Sequence, residues 1–341
     1  MQADWQQFLQ TQGATLAEDR VLHFGDAHAE LTAATEQCVL VDLSHFGLIR
    51  FSGEETQAFL NGQLSSDVRK LETHLSQYSS YSTPKGRMLA SFLLFREGND
   101  YMVQLAAELL PAMIKRLSMY IMRTKTKASD ASTERVRMGL AGPGAAAVIR
   151  QVFDCELASP HSVAQSGHAT ILHLPGQRYE VVVASEHAVA TWQALAAHAK
   201  PAGGTVWTWT DICAGIPWIG AATQEEFVAQ MANMELIGAV SFNKGCYPGQ
   251  EIVARTQYLG KLKRRMYRAH IAAESVAAGQ DVFSPEMQGQ ASGKIMLAAP
   301  SPKGGYEVLV VAQIASLEHG LHLGSLEGPL LTVGELPYAV H

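Results

Sequence analysis

The densest cluster of chemistry-bearing residues in the chain is Lys244-Gly245-Cys246-Tyr247-Pro248-Gly249-Gln250-Glu251. Cys246 supplies a thiol, whose thiolate form is the nucleophile and metal ligand. Lys244, two residues earlier, favours that thiolate by its charge. Glu251 is a carboxylate that can hold the lysine or accept a proton. Pro248-Gly249 suits the central pair of a type II turn, because proline presets φ and glycine accepts the positive φ that follows. Gly245 and Gly249 carry no side chain that would shield the thiol. These residues allow two readings. Cys246 is an accessible, activated nucleophile or a sulfur or metal contact, or it is a small buried filler in a turn, as free cysteines usually are.

Two further sets could serve a ligand. Trp207, Trp209, Trp218 and Tyr247, with Phe46 far upstream, offer the apolar walls that a flat heteroaromatic ligand needs. Tryptophans fill cores equally well. The run Arg255, Lys261, Lys263, Arg264, Arg265 and Arg268 reads as strand residues on alternating faces. It is either a charge-protected edge strand or an anion site for a ligand tail, a partner protein or RNA phosphates. Gly142-Pro143-Gly144 lacks the third glycine of a dinucleotide fingerprint. None of the 13 histidines falls in an HExxH pattern, so no metal site is assigned.

These residues must be positioned by a chain of 341 residues, long enough for more than one domain. Apolar residues make up 47% and charged residues 17%, which excludes global disorder. The net charge of -6 lacks the basic surplus of a bulk nucleic-acid binder, so direct nucleic-acid contact is not expected. Cys38, Cys155, Cys213 and Cys246 are scattered, with no CxxC pair, and fit a reducing, cytoplasmic setting. The N-terminal MQADWQQFLQ has no secretory pattern, and no apolar run spans a membrane.

Residues 3–12 read as a helix with Trp5, Phe8 and Leu9 on one face. Residues 47–51 read as a strand, followed by a helix over 54–64 with two acidic residues in its first turn. Strands over 75–83, 88–95 and 101–105 and a helix over 108–122 follow. A similar order then recurs: a strand at 136–140, a helix to about 153, a hairpin of 169–174 with 179–184, and a helix over 185–199 capped by Ser185. RFSGEETQAFL and GLAGPGAAAVI align with Gly53 over Gly142, which suggests an internal duplication of a split β-α-β unit. From 266 onward, strands at 266–271, 292–297, 306–312 and 330–333 alternate with Gly/Pro turns, as in a small barrel. The class is α+β.

The octapeptide resembles the signature of the YgfZ family of folate-binding proteins, relatives of the glycine-cleavage T-protein. VDLSHFGLIRFSGEETQAFLNGQLSSDV, YSTPKGRML, ICAGIPWIG and VSFNKGCYPGQEIVART extend the resemblance over most of 38–265. It implies a T-protein-like fold of two intertwined ferredoxin-like modules, about 30–130 and 131–262, around a folate pocket, with a β-barrel at 263–341. It implies tetrahydrofolate or a derivative as ligand. It implies a role in assembly or repair of iron–sulfur clusters in client enzymes, with an indirect influence on tRNA modification. Carried over residue by residue, it makes Cys246 and Lys244 the reactive pair. It makes Phe46, Trp207, Tyr247, Gln250 and Glu251 the candidates for holding the folate. The T-protein's acidic positions are here Met88-Leu89-Ala90-Ser91 and Cys213. The acid–base groups for aminomethyl transfer are therefore missing, and Cys213 is expected to be a packed core residue. The chain reads as a folate-binding accessory protein, with a one-carbon transferase or demethylase and a tRNA-contacting module as alternatives.

Overall fold

RFSGEETQAFL and GLAGPGAAAVI form the same local structure. Each strand runs into a helix through a glycine of positive φ, Gly53 at +118° and Gly142 at +93°. A Cβ on Gly53 would lie 2.1 Å from the Lys125 carbonyl oxygen, and one on Gly142 would lie 2.4 Å from that of Gln37. Only glycine tolerates both the dihedral and the close backbone approach. The computed structural model describes residues 1–258 and 260–340.

The likeness extends to topology. The first stretch runs through strand Phe46–Ser52, helix Thr56–Gln63, strands Gln77–Ser82, Met88–Glu97 and Asp100–Ala106, and helix Leu110–Ile121. The second runs through strand Arg135–Ala141, helix Ala145–Phe153, strands Val163–Ser166, Ala169–Leu174 and Arg178–Ala184, and helix Ala188–Ala196. In both sheets the second, third and fourth strands lie in sequence order and the first strand pairs with the fourth. Lys127–Asp130 extends one sheet beyond Phe46–Ser52. Val39–Asp42 and then Lys200–Ala202 extend the other beyond Arg135–Ala141.

The chain divides into two compact units that are interleaved along the sequence. The first contains Met1–Thr56, Leu71–Gln77 and Leu93–Thr210, and the second contains Gln57–Lys70, Tyr78–Phe92 and Asp211–His341. The stretches 30–130 and 131–262, expected as modules, each contribute to both units, and 263–341 lies within the second. In the first unit one sheet face carries Val136, Met138, Leu140, Ile171 and Val181 into a core with Trp5, Leu9 and Trp192. The intervening residues, among them Arg137, Gly139 and Glu180, face the other way because strand side chains alternate. In the second unit a six-stranded antiparallel sheet runs in the order His322–Leu323, Asp281–Phe283, Ala291–Pro300, Tyr306–Gln313, Arg264–Ile271, Leu331–Gly334. Ile271, Val282, Ile295, Val308 and Val310 form its core.

Several expected boundaries shift. The helix after Gly53 starts at Thr56, so Glu54 and Glu55 precede it. Glu54 pairs with the Lys125 ammonium at 2.8 Å, and Glu55 accepts from the Lys125 amide. Ser185 does not cap a helix: Ser185–His187 is a 3-10 turn, and the helix begins at Ala188. Ala27–Glu36, Gly204–Cys213 and Gln250–Tyr258 are helices that the sequence pattern did not reveal. Asp26 caps the first of these through the amides of His28 and Ala29.

Two imidazoles in the first unit are held neutral. Burial, then Arg20 and Arg137, pushes His45 down to about 3. Burial, then His173 and Arg178, pushes His161 down to about 4. The unfolded chain takes up these protons from pH 6.5 downward while the folded chain does not, so stability rises with pH through this window and is lost on acidification. Urea denaturation should show unfolding free energy falling below pH 6.5, by up to about 1.4 kcal/mol per pH unit from each imidazole. His45→Gln combined with His161→Gln should flatten that slope.

Candidate functional site

The octapeptide lies in the second unit, in a stretch without regular structure that leads into helix Gln250–Tyr258. Gly249 has φ +83°, as the Pro-Gly turn requires. A Cβ there would stand 2.7 Å from the Thr83 carbonyl oxygen and 2.8 Å from the Gly86 Cα. A Cβ on Gly86 would in turn meet Ile252 at 2.9 Å. The turns of YSTPKGRML and KGCYPGQE therefore pack directly on each other, and each needs its glycine for the close approach.

Lys244 anchors the loop. Its side chain is buried, and its ammonium donates to the carbonyls of Asn61 (2.6 Å), Leu64 (2.6 Å) and Ser66 (2.7 Å). These carbonyls lie at and just beyond the C-terminal end of helix Thr56–Gln63, where main-chain acceptors lack intrahelical partners and a cation is favoured. Burial pushes Lys244 down to about 8; the nearby Asp67 acts to raise it and Arg69 to lower it. The same two segments are joined where Ser65 Oγ donates to the Ala239 carbonyl (2.7 Å) and the Ser241 amide donates to the Ser65 carbonyl (2.9 Å).

Tyr247 is the second inward anchor, with its ring centroid 5.1 Å from the Lys244 ammonium. Burial pushes its phenol up to about 12, and the hydroxyl has no hydrogen-bond partner among the described residues. Gln250 closes the turn, its Oε1 accepting from the Tyr247 amide at 3.3 Å. Glu251, expected to hold Lys244, is exposed in the first helical turn, and main-chain carbonyls hold the lysine instead. Gly245 and Cys246 face outward. Cys246 is exposed, whereas Cys38 is buried and Cys155 and Cys213 are partly buried. Burial pushes the Cys38 thiol up to about 12.

The aromatic set does not form one group. Phe46, Trp207 and Trp209 belong to the first unit, and Trp218 and Tyr247 to the second. Trp218 packs edge-on to Tyr78 at 6.2 Å. Phe46 is 4% exposed and Trp207 1%, so both rings are covered by protein. Trp207 lies on helix Gly204–Cys213 against the bare backbone of Gly139, where a Cβ would come within 2.4 Å of its ring. The Arg178 guanidinium stands 5.3 Å from the Trp207 ring centroid.

Around these rings lies a buried polar layer that the sequence reading missed. Arg137 donates to the Phe46 carbonyl at 2.5 Å. Its Nε and Nη1 have no hydrogen-bond partner among the described residues. The Gln104 amide donates to Glu180 at 3.1 Å, and Gln104 Oε1 has no hydrogen-bond partner among the described residues. Asp42 accepts from the Trp5 indole at 2.7 Å and from the Ser44 hydroxyl at 2.9 Å, while its burial raises its pKa. The available signal was the polar alternation in RVRMGL and RYEVVV, which by itself reads as a solvated strand face.

The basic run also divides. Arg255 lies on helix Gln250–Tyr258. Arg265 pairs with Glu235, and Arg268 with Glu307 at 3.0 Å. Arg264 lines a cleft of about 260 Å³ with Glu226, Asp281 and Lys294. Among the described residues, no group of three His, Cys, Asp or Glu side chains stands close enough to hold a metal.

Replacing Lys244 by Met leaves three buried carbonyls without their donor. Chemical denaturation should then show a loss of about 3 kcal/mol. Cys246→Ser, on the exposed side of the same loop, should change stability by less than about 0.5 kcal/mol.

The sequence profile of the GCVT N-terminal domain family matches residues 2–236. The tRNA-modifying protein YgfZ of Yersinia pestis (strain Pestoides F) is 31% identical over 246 residues, covering 71% of this chain and 74% of that protein. The YgfZ protein of Yersinia enterocolitica is 31% identical over 255 residues, covering 74% and 77%. The crystal structure of the glycine cleavage system aminomethyltransferase T from Bartonella henselae superposes with a TM-score of 0.77 at 17% identity, covering 97% of this chain and 96% of that one. The α+β arrangement is therefore the T-protein fold. With more than half its length matched by the domain profile and close to a third of its aligned residues shared with YgfZ proteins, the chain belongs to the GCVT-domain family, alongside YgfZ.

Proposed function

We propose that this chain is a cytoplasmic folate-binding accessory protein that supports iron–sulfur cluster assembly or repair in client enzymes and thereby influences tRNA modification. The observation that carries the reading is the exposed Cys246 between two buried anchors, Lys244 and Tyr247. Such a loop holds its thiol outward, where a client's sulfur or cluster can reach it, and ties it to the protein through its neighbours. In this reading the two repeated stretches are the ferredoxin-like modules, and the C-terminal sheet is the β-barrel of the T-protein.

The first unit suits a reduced folate in one definite respect. Arg137 Nε and Nη1, Gln104 Oε1 and His45 Nε2 are buried without hydrogen-bond partners among the described residues. Arg137 and His45 directly adjoin Phe46. A pterin carries donors and acceptors around a flat ring and would satisfy such atoms. Tetrahydrofolate would supply a reduced one-carbon carrier. Phe46 and Trp207 are covered by protein as they stand, so a pterin would stack on them only where their neighbours give way, with Arg137 and Gln104 fixing its polar edge.

The positions that carry acids in the T-protein support an accessory role over aminomethyl transfer. Met88, Leu89, Ala90 and Ser91 are buried and contain no carboxylate. The Ser91 hydroxyl accepts from the Ile219 amide at 2.9 Å, a structural bond.

Tetrahydrofolate titration followed by tryptophan fluorescence tests the reading. Saturable quenching is expected in the wild type. It should weaken by roughly tenfold in Trp207→Phe, which keeps most of the core volume, and persist unchanged in Cys246→Ser. No saturable response in the wild type would refute the folate assignment.

A further inference from the structure

Residues 252–273 contain six Arg and Lys side chains and no Asp or Glu, in a chain whose net charge is -6. Arg265 and Arg268 are committed to Glu235 and Glu307, and Arg264 faces a cleft holding Glu226 and Asp281. Arg255, Lys261 and Lys263 remain exposed and form no salt bridge among the described residues. Tyr258, one helical turn from Arg255, is 68% exposed. Its ring meets Phe242 edge-on at 6.1 Å, and Phe242 lies four residues before Cys246. A solvent-facing aromatic ring thus lies within five residues in sequence of three exposed cations, and through Phe242 it adjoins the segment that presents the exposed thiol.

We infer that this patch binds an RNA segment with unpaired bases, one base stacking on Tyr258 and its phosphates meeting Arg255, Lys261 and Lys263. Exposed rings among cations recognise single strands because every base has a π-face and every nucleotide a negative charge. A duplex hides its base faces, and unstacked, splayed bases are typical of RNA loops and ends. A protein partner fits less well: such interfaces are built round a desolvated apolar centre, and here one exposed ring is flanked in sequence by three exposed cations. Glu251, on the same helix face as Arg255, is the single carboxylate of helix Gln250–Tyr258. The chain's overall negative charge makes the contact weak and dependent on these three residues.

Fluorescence anisotropy of a labelled single-stranded oligouridylate and of an unmodified tRNA transcript, over a series of salt concentrations, tests it on the full chain. Binding should appear at low salt, with a log–log salt slope of about -2 from three phosphate contacts. Arg255→Ser combined with Lys261→Ser and Lys263→Ser should abolish it, and Tyr258→Ala should weaken it about tenfold. No binding at low salt, or binding that survives the triple substitution, overturns the inference. So does full competition by a poly-glutamate peptide together with indifference to Tyr258→Ala, which would make the patch a dock for acidic protein segments. Tetrahydrofolate titration of the same variants should be unchanged, so that failure of RNA binding and failure of the folate reading are told apart.

Discussion

The candidate site depends on one ammonium group meeting three main-chain carbonyls. The stretch before helix Gln250–Tyr258 has no regular structure of its own to hold it. Lys244 supplies the missing constraint by reaching the acceptors left at the end of helix Thr56–Gln63. Three convergent carbonyls suit a compact ammonium with three donors. A planar guanidinium spreads its donors in a fork and does not converge on one point. Burying a cation costs desolvation, and here three short, charge-assisted hydrogen bonds offset it. With Lys244 and Tyr247 turned inward, Gly245 and Cys246 are left at the surface.

The first unit rests on a different constraint. One face of its sheet packs an apolar core, and the other carries Arg137, Arg178 and Glu180 into the interior. Gly139 sits among them so that Trp207 can lie against the backbone. A buried polar layer of this kind is stable only as far as its groups find partners. The atoms of Arg137 and Gln104 that lack partners among the described residues set it apart from an ordinary core and give the folate proposal its physical basis.

The duplicated topology follows from local features that recur. Gly53 and Gly142 perform the same task, a strand-to-helix turn pressed against another backbone segment. The sequence likeness around them is slight, yet the strand orders agree. Patterning and turn chemistry specify such a unit, and most of the side chains remain free to differ.

Alternation, turn residues and the spacing of apolar positions determined most of the strands, the α+β class and the all-β C-terminal region, because these signals act over a few residues. The Pro248-Gly249 turn was legible for the same reason. Helices Gly204–Cys213 and Gln250–Tyr258 were not, since their β-branched, aromatic and polar residues give no clear helical period. The octapeptide made Cys246 a candidate, but its exposure was decided by contacts 178 to 183 residues away in sequence. The partner of Lys244 could not be read from its neighbour Glu251, because main-chain carbonyls have no signature in composition. The same holds for Arg137, Arg178 and Glu180. Period-two polarity declares that a strand has a second face, and only the element packed on that face decides whether it meets water or the protein interior.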